Sequence, residues 1–129
     1  MEINFNVDKE SLNFLIKLAF ALVTGLLIGL ERERRSKQET FAGIRTFPLI
    51  SILGTLTAYI NDYYWNGIYW IVLGGIILLM LINFYLEYDK DIGATTEIAI
   101  LISFLLGVLI YYEHYYIAAF LAVITTFLL

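Results

Sequence analysis

The sequence predicts an all-α fold: a polytopic membrane protein of five transmembrane helices, N-terminus outside and C-terminus cytoplasmic. Three observations predict it. The 129 residues are 60% hydrophobic with a mean hydropathy of +0.79, too apolar for an ordinary soluble domain. The apolar residues fall into runs of membrane-spanning length, broken by short polar stretches. The breaks also differ in chemistry. Four of the eight cations lie between Arg32 and Lys37, whereas two other breaks are rich in Tyr and Trp. The runs divide as about 11–31, 44–61, 68–86, 93–112 and 115–129, a single domain over 1–129.

Residues 1–10 are polar and acidic, without the basic start of a signal peptide, so the first run reads as a retained helix. Ser11 is a plausible N-cap. Twenty residues at about 1.5 Å each give about 30 Å, the thickness of a hydrocarbon core. Ala21, Gly25 and Gly29 recur every four residues and make one helix face small enough for close backbone approach. Lys17 interrupts the run. It either snorkels to the near interface, the commoner fate, or faces a bundle interior. It shares a stripe with Ala21, Thr24, Glu31 and Arg35.

The first run ends in five consecutive charges, Glu31 to Arg35, and a basic loop follows. The positive-inside rule makes that loop cytoplasmic. Gly43 opens a turn, and Pro48 sits in the first turn of the second helix, where a missing N–H costs little. Ser51, Thr55, Ala58 and Asp62 give this helix a small, weakly polar face. Tyr59, Tyr63, Tyr64, Trp65, Tyr69 and Trp70 surround the next break as an aromatic belt at the outer interface. In the third helix Gly75, Leu79, Asn83 and Glu87 are spaced by four, so Asn83 and Glu87 point the same way near its inner end. Glu87, Asp89, Lys90 and Asp91 occupy the following turn, cytoplasmic by alternation. The fourth helix opens Gly93-Ala94-Thr95-Thr96-Glu97. A second aromatic cluster, Tyr111, Tyr112, Tyr115 and Tyr116 around His114, falls on the outer side with the first. The last run spans 15 residues, about 22 Å, and stops without a polar tail. That reads as a short helix or, preferably, a chain cut in mid-helix.

This topology gathers Glu31, Arg32, Glu33, Arg45, Thr46, Asn83, Glu87, Thr95, Thr96 and Glu97 at the inner ends of helices one to four. Two readings stand side by side. The charges form a structural ion-pair lattice, as interfacial charges commonly do, with Glu31–Arg35 and Glu33–Lys37 as ordinary i, i+4 pairs. Alternatively, carboxylates, Thr hydroxyls and carbonyls make an oxygen-rich site for a hard cation. Arg45 and Glu97 are the strongest individual candidates, because each sits inside an apolar run and a charge at mid-membrane costs about 3 kcal/mol. With no cysteine and one histidine, thiolate and histidine-rich metal sites are excluded. No zinc motif or catalytic dyad appears, so an enzyme is not expected.

Gly29-Leu30-Glu31-Arg32-Glu33-Arg34, then Ala42-Gly43-Ile44-Arg45-Thr46, then Gly93-Ala94-Thr95-Thr96-Glu97 resembles the transmembrane domain of the MgtC/SapB family. The resemblance runs along essentially the whole chain. It implies a multi-pass protein of a bacterial or archaeal inner (plasma) membrane, associated with growth at low magnesium and with intracellular survival of pathogens. Members are reported as regulators of ATP synthase or as transporters, rather than proven magnesium carriers. The family positions fall here on Glu31, Arg32, Glu33, Arg45, Thr46, Thr95 and Thr96. Glu97 stands where pathogen-type members tend to have a small residue, so the chain resembles a different branch, and their soluble cytoplasmic tail is missing. The function expected is therefore Mg²⁺ or other cation homeostasis through a cytoplasm-facing polar cluster. The alternative is a regulatory module that binds another membrane complex, such as an ATP synthase or a transporter, without transport of its own. No cofactor is fixed by the sequence; Mg²⁺ is the candidate ion. Expected partners are the lipid bilayer, a second copy in a homodimer formed through the small face of the first helix, and a membrane protein, but not nucleic acid.

Overall fold

The structure, a computed structural model, describes residues 9–35, 45–86 and 94–128. Five α-helices account for nearly all of them: α1 Lys9–Arg35, α2 Thr46–Tyr63, α3 Ile68–Leu86, α4 Ala94–Tyr111 and α5 Tyr115–Leu128. No strand occurs among the described residues. Ser11–Arg32 within α1 is long and apolar enough to cross a membrane. The other apolar stretches, Ile68–Ile82, Ile98–Tyr111 and Tyr115–Leu128, are shorter. The five-helix architecture expected from the runs is thus present, and among the described residues α1 is the helix that meets the full length and apolarity requirement for a span.

Helix α1 shows how sequence sets packing. Ala21, Thr24, Gly25, Ile28 and Gly29 are buried, at i, i+3, i+4, i+7 and i+8. Between them Leu22, Val23, Leu26, Leu27 and Leu30 are exposed. The buried face meets α2. A Cβ added at Gly25 would lie 2.6 Å from Pro48 Cα and 2.7 Å from the Phe47 carbonyl oxygen. The small face that prompted a homodimer is therefore filled by α2 of the same chain, because Gly25 lets the first turn of α2 rest directly on α1.

The tightest crossing joins α2 and α4, which run parallel. A Cβ at Gly54 would collide with the Phe104 carbonyl, and one at Gly107 with the Ser51 carbonyl. The Thr55 hydroxyl crosses this gap to donate to the Gly107 carbonyl at 2.8 Å. Ser103 donates to the Ala99 carbonyl at 2.8 Å and Thr57 to the Leu53 carbonyl at 2.6 Å, so these buried hydroxyls are satisfied within their own helices. Phe47, Phe104, Ile100 and Ile110 fill the space around the crossing. Helix α5 packs on α1 and α4, and α3 packs mainly on α2.

Polarity in this bundle is inverted relative to a water-soluble protein. Ser51, Thr55 and Ser103 are fully buried, while Leu49, Ile71, Leu81, Phe120 and Phe127 are exposed on the sides. Small and hydroxyl-bearing residues at helix crossings, with large apolar side chains outward, is the packing favoured where the surroundings are as apolar as leucine.

Candidate functional site

The antiparallel α1–α2 pair and the parallel α2–α4 pair give the bundle two chemically distinct ends. At one end α1 finishes, and α2 and α4 begin. Glu31 and Arg34 form an i, i+3 ion pair there at 3.6 Å, with the Glu31 side chain 17% exposed and Arg34 81%. Arg32 is half-buried, and its Nε has no hydrogen-bond partner among the described residues. Arg45 precedes α2 in helical backbone conformation, makes no side-chain cap bond, and is exposed. Thr46 opens the helix and is partly buried. Glu33 lies near the end of α1, Asn83 near the end of α3, and Thr95, Thr96 and Glu97 in the first turn of α4. The side chains of these five, and Glu87 and Asp89 altogether, lie outside the described residues. The structure thus brings Glu31, Arg32, Arg45 and Thr46 to one end. Among the described residues it forms no group of three or more metal-ligating side chains. Carboxylate and hydroxyl oxygens there suit a hard cation; the guanidinium groups suit carboxylate or phosphate.

The other end gathers the aromatic clusters from both turns. Phe14 of α1 stacks on Tyr59 of α2 with centroids 4.6 Å apart, and Tyr59 meets Tyr111 of α4 edge-on at 6.3 Å. The Tyr112 hydroxyl donates to Asp62 Oδ1 at 2.8 Å, tying the turn after α4 to the end of α2. Burial, with the hydrogen bonds to Tyr69 and Asp62, pushes the Tyr112 hydroxyl above its usual range. A cavity of about 460 Å³ opens between α1, α2 and the end of α4, walled by Asn13, Lys17, Tyr59, Tyr63, Tyr111 and Glu113 among others. Lys17 Nζ sits 3.8 Å from Glu113 Oε1 and 4.7 Å from the centre of the Tyr111 ring.

Lys17 corrects the commoner expectation for a lysine in an apolar run. Its side chain is only 14% exposed and faces the bundle instead of snorkelling outward. Two partners make this tolerable: a carboxylate, and a ring face that attracts a cation. The pairing with Glu113, 96 positions away, is invisible in sequence. One signal was available, since Lys17 shares its stripe with Ala21 and Thr24, and that stripe is the buried one.

A family model described as the MgtC family matches residues 18–129, most of the chain. No curated protein and no solved structure matches it.

Proposed function

The chain belongs to the MgtC family, and on that premise we propose that it is a multi-pass plasma-membrane protein that serves cation, chiefly Mg²⁺, homeostasis from its charged end. Family membership supports the membrane setting. The observation that carries the multi-pass reading is the inverted polarity. Leaving one Leu, Ile or Phe side chain in water instead of burying it forfeits about 1.5–3 kcal/mol. Val23, Leu49, Ile71, Leu81, Phe120 and Phe127, spread over α1, α2, α3 and α5, are each more than half exposed. Lipid around the bundle removes that cost, while the Thr55, Thr57 and Ser103 hydroxyls stay hydrogen-bonded inside. The charged end then lies in the cytoplasm, by the basic loop that begins at Arg32, with the C-terminus on the same side and the N-terminus outside.

At that end Glu31 is the described carboxylate best placed to take a cation, with the Thr46 hydroxyl and Glu97 as candidate companions. Its pair with the exposed Arg34 is worth only about 0–1 kcal/mol, so that pair by itself does not hold a divalent cation off Glu31. No chemical reaction is assigned to the protein. The test is thermal stability of the detergent-solubilised chain against Mg²⁺, with Na⁺ at matched ionic strength. A saturable stabilisation by Mg²⁺ that disappears in Glu31→Gln and Glu97→Gln supports the cation site. Equal responses to both salts contradict it.

A second reading, a regulatory module bound to another membrane complex or to a second copy, is favoured by α3. That helix is apolar along its length, packs mainly on α2, and has open space at Gly74 and Gly75. It offers a face that the interior does not use. Liposomes carrying the protein but showing no Mg²⁺ flux, together with a stable membrane complex or dimer in mild detergent, would favour this second reading.

A further inference from the structure

We propose that the cavity at the tyrosine-rich end is an oxyanion site for a phosphoester, with Lys17 as its cation and Glu113 as a displaceable stand-in for the ligand. This goes beyond the cation reading and concerns the opposite end of the bundle.

Four observations carry it. First, the cavity is of small-molecule size, about 460 Å³, and residues with polar side chains line it, among them Lys17, Asn13, Tyr59, Tyr63 and Tyr111. These come from three different helices, α1, α2 and α4, so an anion beside Lys17 is enclosed from more than one side. Second, Lys17 is a largely buried cation, 14% exposed, whose carboxylate partner stands at 3.8 Å, beyond hydrogen-bond length. An ammonium carries three donors, and a distant carboxylate and a ring face leave room for a better acceptor.

Third, Glu113 is built to leave. Its side chain is 65% exposed, so releasing it to water costs little. Fourth, its backbone is unusual. The turn after α4 closes with the His114 amide donating to the Leu109 carbonyl and the Glu113 amide donating to the Ile110 carbonyl, both at 3.0 Å. This is the helix-ending pattern that puts its penultimate residue in left-handed conformation and normally selects glycine there. Here Glu113 holds it, at φ 67°, the positive-φ non-glycine among the described residues. A strained position given to a carboxylate that reaches the largely buried Lys17 is better explained by a role at the cavity than by the turn.

Depth fits the source. Lys17 lies about 9 Å along α1 from Ser11, where the apolar run begins. Both a lipid phosphate at the interface and a water-soluble phosphoester from the outer solution reach that level.

The experiment uses the full chain in maltoside micelles, with ³¹P line broadening and thermal shift as readouts. One arm adds glycerol 3-phosphate against glycerol plus NaCl at equal ionic strength. The other adds phosphatidylglycerol against diacylglycerol at equal mole fraction. Saturable binding in either arm is expected: the lipid arm alone identifies a headgroup, and the soluble arm identifies a free phosphoester. Lys17→Met should abolish binding. Glu113→Gln, a nearly isosteric change at a 65% exposed side chain, should tighten it by about two- to fivefold, because it removes a competing carboxylate. No binding in either arm overturns the proposal. So does binding unaltered by Lys17→Met, or a Glu113→Gln variant that binds no tighter than the parent. None of these outcomes depends on Mg²⁺ or on the charged end.

Discussion

Replacing Gly107 with alanine tests the α2–α4 crossing on which both ends of the bundle depend. The added methyl would collide with the Ser51 carbonyl and come within 2.9 Å of the Thr55 amide nitrogen, backbone atoms that cannot rotate away. Forcing the helices apart carries an overpacking cost of about 1–3 kcal/mol. Separation also breaks the 2.8 Å hydrogen bond from Thr55 to the Gly107 carbonyl, worth about 0.5–1.5 kcal/mol. Against this, alanine is the better helix former by about 1 kcal/mol. The balance is a loss of about 0.5–3.5 kcal/mol. Gly74 provides the control, since a Cβ there meets nothing within 4 Å. Gly74→Ala should therefore show only the propensity term, a gain of up to about 1 kcal/mol. Reversible unfolding of both variants in mixed micelles, followed by far-UV circular dichroism, measures the two signs. A Gly107→Ala protein as stable as the parent, or two variants that shift alike, would refute the close crossing.

Three further outcomes follow from particular contacts. Glu113→Gly relieves about 1 kcal/mol of left-handed strain but takes the carboxylate from the largely buried Lys17; Glu113→Ala loses the same carboxylate and keeps the strain, so the glycine variant should be the more stable of the two by about 1 kcal/mol in the same unfolding assay, and equal stabilities would contradict a strained turn. Tyr112→Phe removes the bond to Asp62 and should cost about 1 kcal/mol at neutral pH. The hydroxyl must be protonated to donate, and its folded value is raised; the difference between parent and variant should therefore hold up to the unfolded value near pH ~10 and vanish only as pH rises further, through the raised folded one. A difference already lost below pH ~9 would contradict that. Gly25→Leu should destabilise the monomer by prising α2 from α1, whatever the oligomeric state, because its added atoms meet Phe47 and Pro48 backbone of the same chain; an effect seen only in a dimer, measured by light scattering alongside unfolding, would return that face to an intermolecular role.

Helix positions were legible because apolar runs and their polar or aromatic breaks report length directly. The expected start of the third helix at residue 68 and the observed Ile68, or the expected end of the fourth at 112 and the observed Tyr111, show how sharp those breaks are. Small-residue faces were legible as faces but not as pairs. Ala21, Gly25 and Gly29 say that a backbone comes close; only the fold says that Phe47 and Pro48 supply it. Likewise Ser51, Gly54 and Thr55 gain their meaning from Phe104 and Gly107, some fifty positions away. The charged end was anticipated from alternation, and Glu31, Arg32, Arg45 and Thr46 do share it. The Lys17–Glu113 pair was not anticipated, because sequence periodicity fixes the face of one helix and not the turn that folds over it.

The central claim is a membrane-crossing bundle whose tyrosine-rich end and charged end lie on opposite sides. The chain has no cysteine, so single cysteines introduced at Asn66, His114 and Ser36 report without background. Asn66 and His114 are exposed in the turns at the tyrosine-rich end; Ser36 follows the charged end of α1 in sequence. Labelling of intact cells with a membrane-impermeant maleimide should modify Asn66→Cys and His114→Cys from outside, and Ser36→Cys only after the membrane is opened. Labelling of all three from the same side, or of Asn66→Cys and His114→Cys from opposite sides, would contradict it.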